Sequence, residues 1–340
     1  MYAITGITGK VGGAAARSLL AESLPVRAVL RDEAKAAWWR TRGCDVGLAE
    51  MDDAASLTSA FRGAAGVFIL PPSEFDPEPG FPEAKRVIAA VTTALAEARP
   101  GKLVCLSTIG ADAPHENLLT QRTLMEQSLQ EIGLPITFLR PGWFMENALW
   151  DIPSARDEGV LRSFLQPADK LFPMVATQDV GGLAATLLRE NGSGTRVVEL
   201  EGPARISPND LARAFATVLK RTVRVETVPR ESWEQIFRSQ GPAALPARCS
   251  RCAPRLGEIE CSYSTIVGRC PAMPTSEMGQ GPKVSAGANL VWSGRIEARS
   301  GLRMMPTFPR SPLSFRTAGF PRYGWKAGIS DGAFLDATHA

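Results

Sequence analysis

Residues 2–12 read Tyr2-Ala3-Ile4-Thr5-Gly6-Ile7-Thr8-Gly9-Lys10-Val11-Gly12, a short apolar strand that runs into three glycines spaced three apart. No other stretch of the chain constrains the backbone as tightly. Glycines allow a sharp turn and let amide N–H groups come close to an anion. The helix that follows, Gly12-Gly13-Ala14-Ala15-Ala16-Arg17-Ser18-Leu19-Leu20, points its positive end at the same place. Strand, glycine turn and helix in that order predict a pyrophosphate cradle, and so a bound dinucleotide.

The first 150 residues alternate short apolar strands with helical spacing. Strands are expected at 26–30, 45–49, 66–70, 102–107 and 135–140, with helices at 54–61, 84–98 and 118–132. Wholly apolar strands between helices belong to a parallel sheet covered on both faces, so the expected fold is α/β, a doubly wound parallel Rossmann sheet. Residues 151–240 continue more loosely, with helices at 179–188, 208–219 and 230–238 and strands at 196–200 and 223–228. They are expected to form a smaller α+β lobe on the substrate side, which divides the chain into 1–150, 151–240 and a tail, 241–340.

The tail differs in character. It holds ten Pro, twelve Gly and four of the six cysteines, with 12 Lys+Arg against 6 Asp+Glu, whereas residues 1–240 carry 26 against 29. It shows no sustained helical or strand period, which predicts an irregular, disordered segment or one read in an altered frame. Cys249, Cys252, Cys261 and Cys270 lack a second Cys-x2-Cys and any hairpin pattern, so no metal site is expected. Its arginines carry no aromatic interleaving or helix-turn-helix pattern, so no nucleic-acid partner is expected either. No apolar run approaches the roughly 20 residues of a membrane span. The N-terminal strand belongs to the fold and does not read as a signal peptide, so a cytoplasmic location is the default.

Cofactor choice turns on the end of the second strand. NAD sites place a carboxylate there to bind the ribose hydroxyls. This chain has Arg31 followed by Asp32, and a guanidinium at that point suits a 2′-phosphate, so NADP(H) is expected, with Lys35 a turn further on.

Four stretches together resemble the NmrA-like family of atypical short-chain dehydrogenase/reductases. They are Thr5–Gly12, Arg31-Asp32, Leu106-Ser107-Thr108-Ile109-Gly110-Ala111 and Leu139-Arg140-Pro141-Gly142-Trp143-Phe144-Met145-Glu146-Asn147. The family includes NADPH-dependent quinone and azo reductases and non-catalytic redox-sensing regulators. The resemblance implies that Gly6, Thr8, Gly9, Lys10, Val11 and Gly12 line the pyrophosphate and that Arg31 meets the 2′-phosphate. It further implies that Leu70, Pro71 and Pro72 border the inner ribose and that Ser107 lies at the cofactor. Residues 141–147 would wall the nicotinamide and substrate pocket, with Pro141, Gly142 and Trp143 toward the cofactor and Phe144, Met145 and Asn147 toward the substrate.

The chain departs from the wider superfamily in lacking a Tyr–Lys pair, since its tyrosines are Tyr2, Tyr263 and Tyr323. Arg122 stands where many relatives carry Lys, and it cannot exchange protons near neutral pH. It reads either as a stabiliser of charge on an acceptor oxygen or as a solvated helix-face arginine. His115 is the candidate proton donor or a surface histidine. Trp143 and Phe144 suit stacking on a flat acceptor, and equally core packing. Trp38-Trp39 is expected to pack the helix after Arg31. The expected activity is hydride transfer from NADPH to a small-molecule acceptor, quinone-like or azo. The alternative is an NADP(H)-sensing regulator that acts through a protein partner.

Overall fold

A computed structural model describes residues 1–74, 77–114 and 116–232, with the backbone of one strand at Ile296–Arg299. In chain order the first half comprises β1 (Tyr2–Ile4), α1 (Lys10–Ala21), β2 (Val26–Leu30), α2 (Glu33–Arg40), β3 (Asp45–Leu48), α3 (Ala54–Phe61), β4 (Gly66–Ile69), α4 (Pro82–Ala98), β5 (Leu103–Leu106), α5 (Thr120–Gln130) and β6 (Ile136–Pro141). Then follow β7 (Trp143–Phe144), a 3-10 turn (Met145–Asp151), α6 (Ile152–Asp157), β8 (Val160–Ser163), β9 (Met174–Val175), α7 (Thr177–Arg189), β10 (Thr195–Leu200), α8 (Pro208–Leu219), β11 (Arg224–Thr227) and β12 (Ile296–Arg299).

Among the described residues the main sheet has eight strands in the order β12-β10-β6-β5-β4-β1-β2-β3. Every pairing in it is parallel except β10 with β12. One face buries Ile4, Leu19, Phe68, Val104, Leu139 and Leu188 beneath α1 and α7. The other buries Leu57, Phe61, Val91, Leu95, Leu103 and Phe138 beneath α3, α4 and α5. Burial on both faces accounts for the apolar strand sequences, and for the doubly wound arrangement expected from them.

Residue 150 does not mark the edge of this sheet. β10, from the segment assigned to the smaller lobe, pairs with β6 from Thr195↔Ile136 to Leu200↔Pro141. α7 packs against α1, where a Cβ on Gly181 would stand 2.4 Å from the Ala14 Cβ and 2.7 Å from the Val11 carbonyl. Strand period alone cannot say which neighbour a strand takes, and α7–β10 is a further crossover unit of the same sheet. What remains separate is a small cluster of Ala148, Ala155, Leu161, Ala212, Phe215 and Val223, carried by the 3-10 turn, α6, α8 and the β8–β11 pair. The α8 helix starts with a reciprocal cap between Ser207 and Asp210.

Two adjacent helical glycines give a test of the α1–α7 contact. Gly181→Ala is expected to lower stability by about 2 kcal/mol by overpacking. Gly182 faces open space, so Gly182→Ala is expected to raise stability by about 0.5–1 kcal/mol through helix propensity. Urea midpoints of the two variants should shift in opposite directions, and a shift in the same direction contradicts the close packing.

Trp39 is buried, whereas Trp38 is about half exposed beneath the Arg42 guanidinium, 3.2 Å from its ring centroid. Only the second tryptophan of the pair therefore packs the core. The expected helix at 230–238 extends past the described residues, as do the expectations for the tail apart from β12.

Candidate active site

In a parallel sheet all strands end on one edge. Here that edge carries the glycine loop after β1, Arg31 after β2, Leu70-Pro71-Pro72 after β4, Ser107 after β5 and residues 141–147 from the end of β6. The strand order changes direction between β1 and β4, which opens the crevice where such sheets take ligands. The topology thus gathers segments that are far apart in sequence.

The glycine loop fits a pyrophosphate in its backbone. Gly6 has φ +59°, a left-handed conformation, and a Cβ there would lie 3.0 Å from the Leu70 Cβ. A Cβ on Gly12 would lie 2.3 Å from the Gly6 carbonyl oxygen and 2.9 Å from that of Thr5, so only glycine lets α1 come this close to the turn. The turn is closed by the Gly9 N–H donating to the Gly6 carbonyl at 3.0 Å. Gly9 is the N-cap of α1 and has no side chain to satisfy the first-turn amides, which leaves the N–H groups of Lys10, Val11 and Gly12 for an anion. Thr8, Gly9 and Lys10 are exposed at the mouth, while Val11 and Gly12 are buried.

At the end of β2 the adjacent opposite charges take different roles. Asp32 is the N-cap of α2 and accepts the Ala34 N–H at 2.9 Å. Arg31 is exposed, and among the described residues it has neither hydrogen bond nor ion pair.

Ser107 is buried, and its hydroxyl donates to Glu126 Oε1. The same carboxylate receives Arg140 Nε at 2.9 Å and Nη2 at 2.6 Å, and Arg140 also reaches Asp112 at 3.2 Å. Burial opposes the Arg140 charge, but the bonds to Glu126 outweigh it with help from Asp112 and raise its pKa. Glu126 is not marked in the sequence, since a lone glutamate on a helix carries no signal of a partner on β6.

Arg122 turns toward the loop after β4, donating to the Pro72 carbonyl at 3.2 Å and to the Ser73 hydroxyl. Burial lowers its pKa to about 10, which still leaves it charged at neutral pH. Arg122 is half-buried, and those two donors point at the protein's own loop. The neighbouring Cys105 thiol is pushed up to about 12 by burial, which makes it inert as a nucleophile. His115 lies outside the described residues.

The 141–147 stretch leaves the main sheet at Gly142, whose N–H donates to the Leu200 carbonyl at 2.9 Å. A Cβ there would lie 2.6 Å from the Pro173 carbonyl oxygen. Trp143 and Phe144 then pair with Met174 and Val175. Pro141 is buried, and Trp143, Phe144, Met145 and Asn147 are half-buried, with Phe144 packed against the core below. Glu146 faces α7, where its carboxylate accepts the Thr177 N–H at 3.0 Å and the Thr177 hydroxyl at 2.7 Å. It anchors the wall and caps a helix.

Asp151 closes the 3-10 turn beyond this wall, and burial pushes its carboxyl up to about 7. A folded pKa above the unfolded value means stability is fullest below about pH 4 and is lost as pH rises through 7. Asp151→Asn should therefore be more stable than the parent at pH 8 by on the order of 2 kcal/mol, and equal to it near pH 4. Urea midpoints at both pH values check this, and a constant difference contradicts it.

No helix among the described residues is long and apolar enough to cross a membrane. A family model described as the NmrA-like family matches residues 2–251. The NAD(P)H azoreductase of Xenophilus azovorans is 28% identical over 244 residues, spanning 71% of this chain and 82% of that protein. A (4-alkanoyl-5-oxo-2,5-dihydrofuran-3-yl)methyl phosphate reductase of Streptomyces griseus is 32% identical over 228 residues, 66% of this chain and 76% of its own. The crystal structure of an Escherichia coli NADPH-dependent quinone oxidoreductase complexed with NADPH superposes with a TM-score of 0.65 at 26% identity, covering 78% of this chain and 89% of that one.

Proposed function

The chain belongs to the NmrA-like family, and on that premise we propose that it is an NADPH-dependent reductase of a quinone-like or azo acceptor. One observation carries the reading. At the sheet edge that holds the glycine cradle, the carboxylate that would select NAD is spent on its own helix, while the adjacent Arg31 is left for a 2′-phosphate. The reductases among its relatives support the enzyme over a regulator acting through a protein partner.

Bound there, NADPH supplies the hydride. The chain's own residues bind and orient. The α1 amides and Gly6–Gly12 would hold the pyrophosphate, and Leu70–Pro72 would set the ribose side of the cleft. With Phe144 turned into the core below, Trp143 and Met145 are left as the apolar wall on which a flat acceptor can lie. With the Ser107 hydroxyl donated to Glu126, the proton that a tyrosine supplies in the wider superfamily would come from water or from His115, which lies outside the described residues. A small-molecule acceptor and a cytoplasmic setting are parts of the same proposal.

Arg31→Ala tests it. The variant is expected to bind NADPH about 10–100-fold more weakly, the worth of a charge-assisted contact to phosphate, and NADH about as well as the parent. An equal loss for both cofactors contradicts the assignment of Arg31.

A further inference from the structure

The segment leaving β4 is Leu70-Pro71-Pro72-Ser73-Glu74. Prolines have no amide hydrogen, so at 71 and 72 the loop cannot donate to a neighbouring backbone. Side chains from two other elements hold it instead. Thr5, buried after β1, accepts the Leu70 N–H at 2.8 Å and donates to the Phe68 carbonyl at 3.1 Å. On α5 the buried Gln121 accepts the Glu74 N–H on Oε1 at 3.1 Å and donates Nε2 to the Glu74 carbonyl at 2.7 Å. Its side-chain amide thus pairs reciprocally with the backbone of one residue. Arg122, next along, donates to the Pro72 carbonyl and the Ser73 hydroxyl.

The loop held this way abuts the cofactor cradle, because the Leu70 side chain occupies the space beside Gly6 where any Cβ would collide. We propose that Gln121 and Arg122 are positioning residues, a latch from α5 that fixes the 70–74 loop against the dinucleotide cleft. This assigns Arg122 to the cofactor side of the site and takes it away from the acceptor oxygen. The inference rests on the NADPH reading above. Physically, the latch restricts a loop that must keep one conformation to border a ribose. Releasing it leaves Leu70 tied to Thr5 but frees Pro72–Glu74 to sample positions that do not fit the ligand, and the apparent affinity falls by that fraction.

The test uses the full-length protein, with NADPH, a soluble quinone, and hydrogen exchange at the Glu74 amide. Gln121→Ala should speed Glu74 exchange and raise the KM and Kd for NADPH about tenfold, with the effect on kcat smaller than that on KM. Ser73→Ala removes one of the two Arg122 contacts from the loop side, leaving that to the Pro72 carbonyl, and with Arg122→Gln it forms a double-mutant cycle that decides the matter should Gln121→Ala not fold. The latch predicts that the double variant binds NADPH no worse than the weaker single variant. A Gln121→Ala protein whose NADPH affinity stays within about twofold of the parent overturns the inference. So does an Arg122→Gln defect that falls on kcat and is fully additive with Ser73→Ala. A parent protein that binds no NADPH overturns the functional reading itself and the latch's role with it, whereas a failure confined to the variants overturns the latch alone.

Discussion

Replacing Gly12 by alanine is expected to remove about 3 kcal/mol of stability and about a hundredfold of NADPH affinity. The added Cβ would sit 2.3 Å from the Gly6 carbonyl oxygen and 2.6 Å from its carbon, both backbone atoms of the turn that forms the cradle. No side-chain rotation relieves that contact, so either α1 retreats from the sheet or the turn opens. Both movements carry the first-turn amides away from the anion they would bind. Gly9→Ala is the internal control for stability. Its Cβ would meet the Gly6 oxygen at 3.3 Å, and its φ of −86° suits an L-residue, so its effect on unfolding should be much smaller. Cofactor fluorescence titration and urea unfolding read affinity and stability separately. An equal loss of stability in the Gly9 and Gly12 variants contradicts the geometry.

The second large effect is expected at Glu126. Its carboxylate takes two Arg140 donors and the Ser107 hydroxyl in a site where all three residues are buried. Glu126→Ala strands the Arg140 guanidinium with Asp112, its other partner, whose side chain is about half exposed. Breaking a buried pair by removing one member costs about 3–5 kcal/mol. The loss also unties the ends of β5 and β6 from α5, and β6 leads directly into the 141–147 wall. Urea unfolding measures the loss, and a change under about 1 kcal/mol would place the pair among the weak ones. Glu126→Gln keeps the shape and an acceptor for Ser107, so it should lie between the two.

Much of the main sheet was legible in the sequence because short apolar runs bounded by glycine, proline and caps leave few alternatives. The strand at Val26–Leu30 and the helix at Ala54–Phe61 fall where their residue patterns put them. The cofactor cradle was legible for a related reason, since glycine spacing states a backbone requirement directly. The pairing of β10 with β6 was not legible, because nothing in Thr195–Leu200 names its neighbour. Nor were the partners of Arg122, Gln121 and Glu126. A polar helix residue reads as solvated until the fold brings a loop or strand across from it. Glu146 was read as part of a binding motif, and its helix-capping role appears only once α7 is placed against it. The Arg31–Asp32 pair lay between these cases. Both charges are legible at the end of β2, and the cap formed by Asp32 separates their roles.

The cradle and Arg31 are expected to serve hydride transfer and not binding alone. Purified full-length protein should be titrated with NADPH and with NADH, then mixed with a quinone while the absorbance of the reduced nicotinamide is followed. NADPH should bind more tightly than NADH, and quinone should cause loss of that absorbance over many turnovers. Tight NADPH binding with no oxidation by quinone or azo acceptors would contradict a role in hydride transfer.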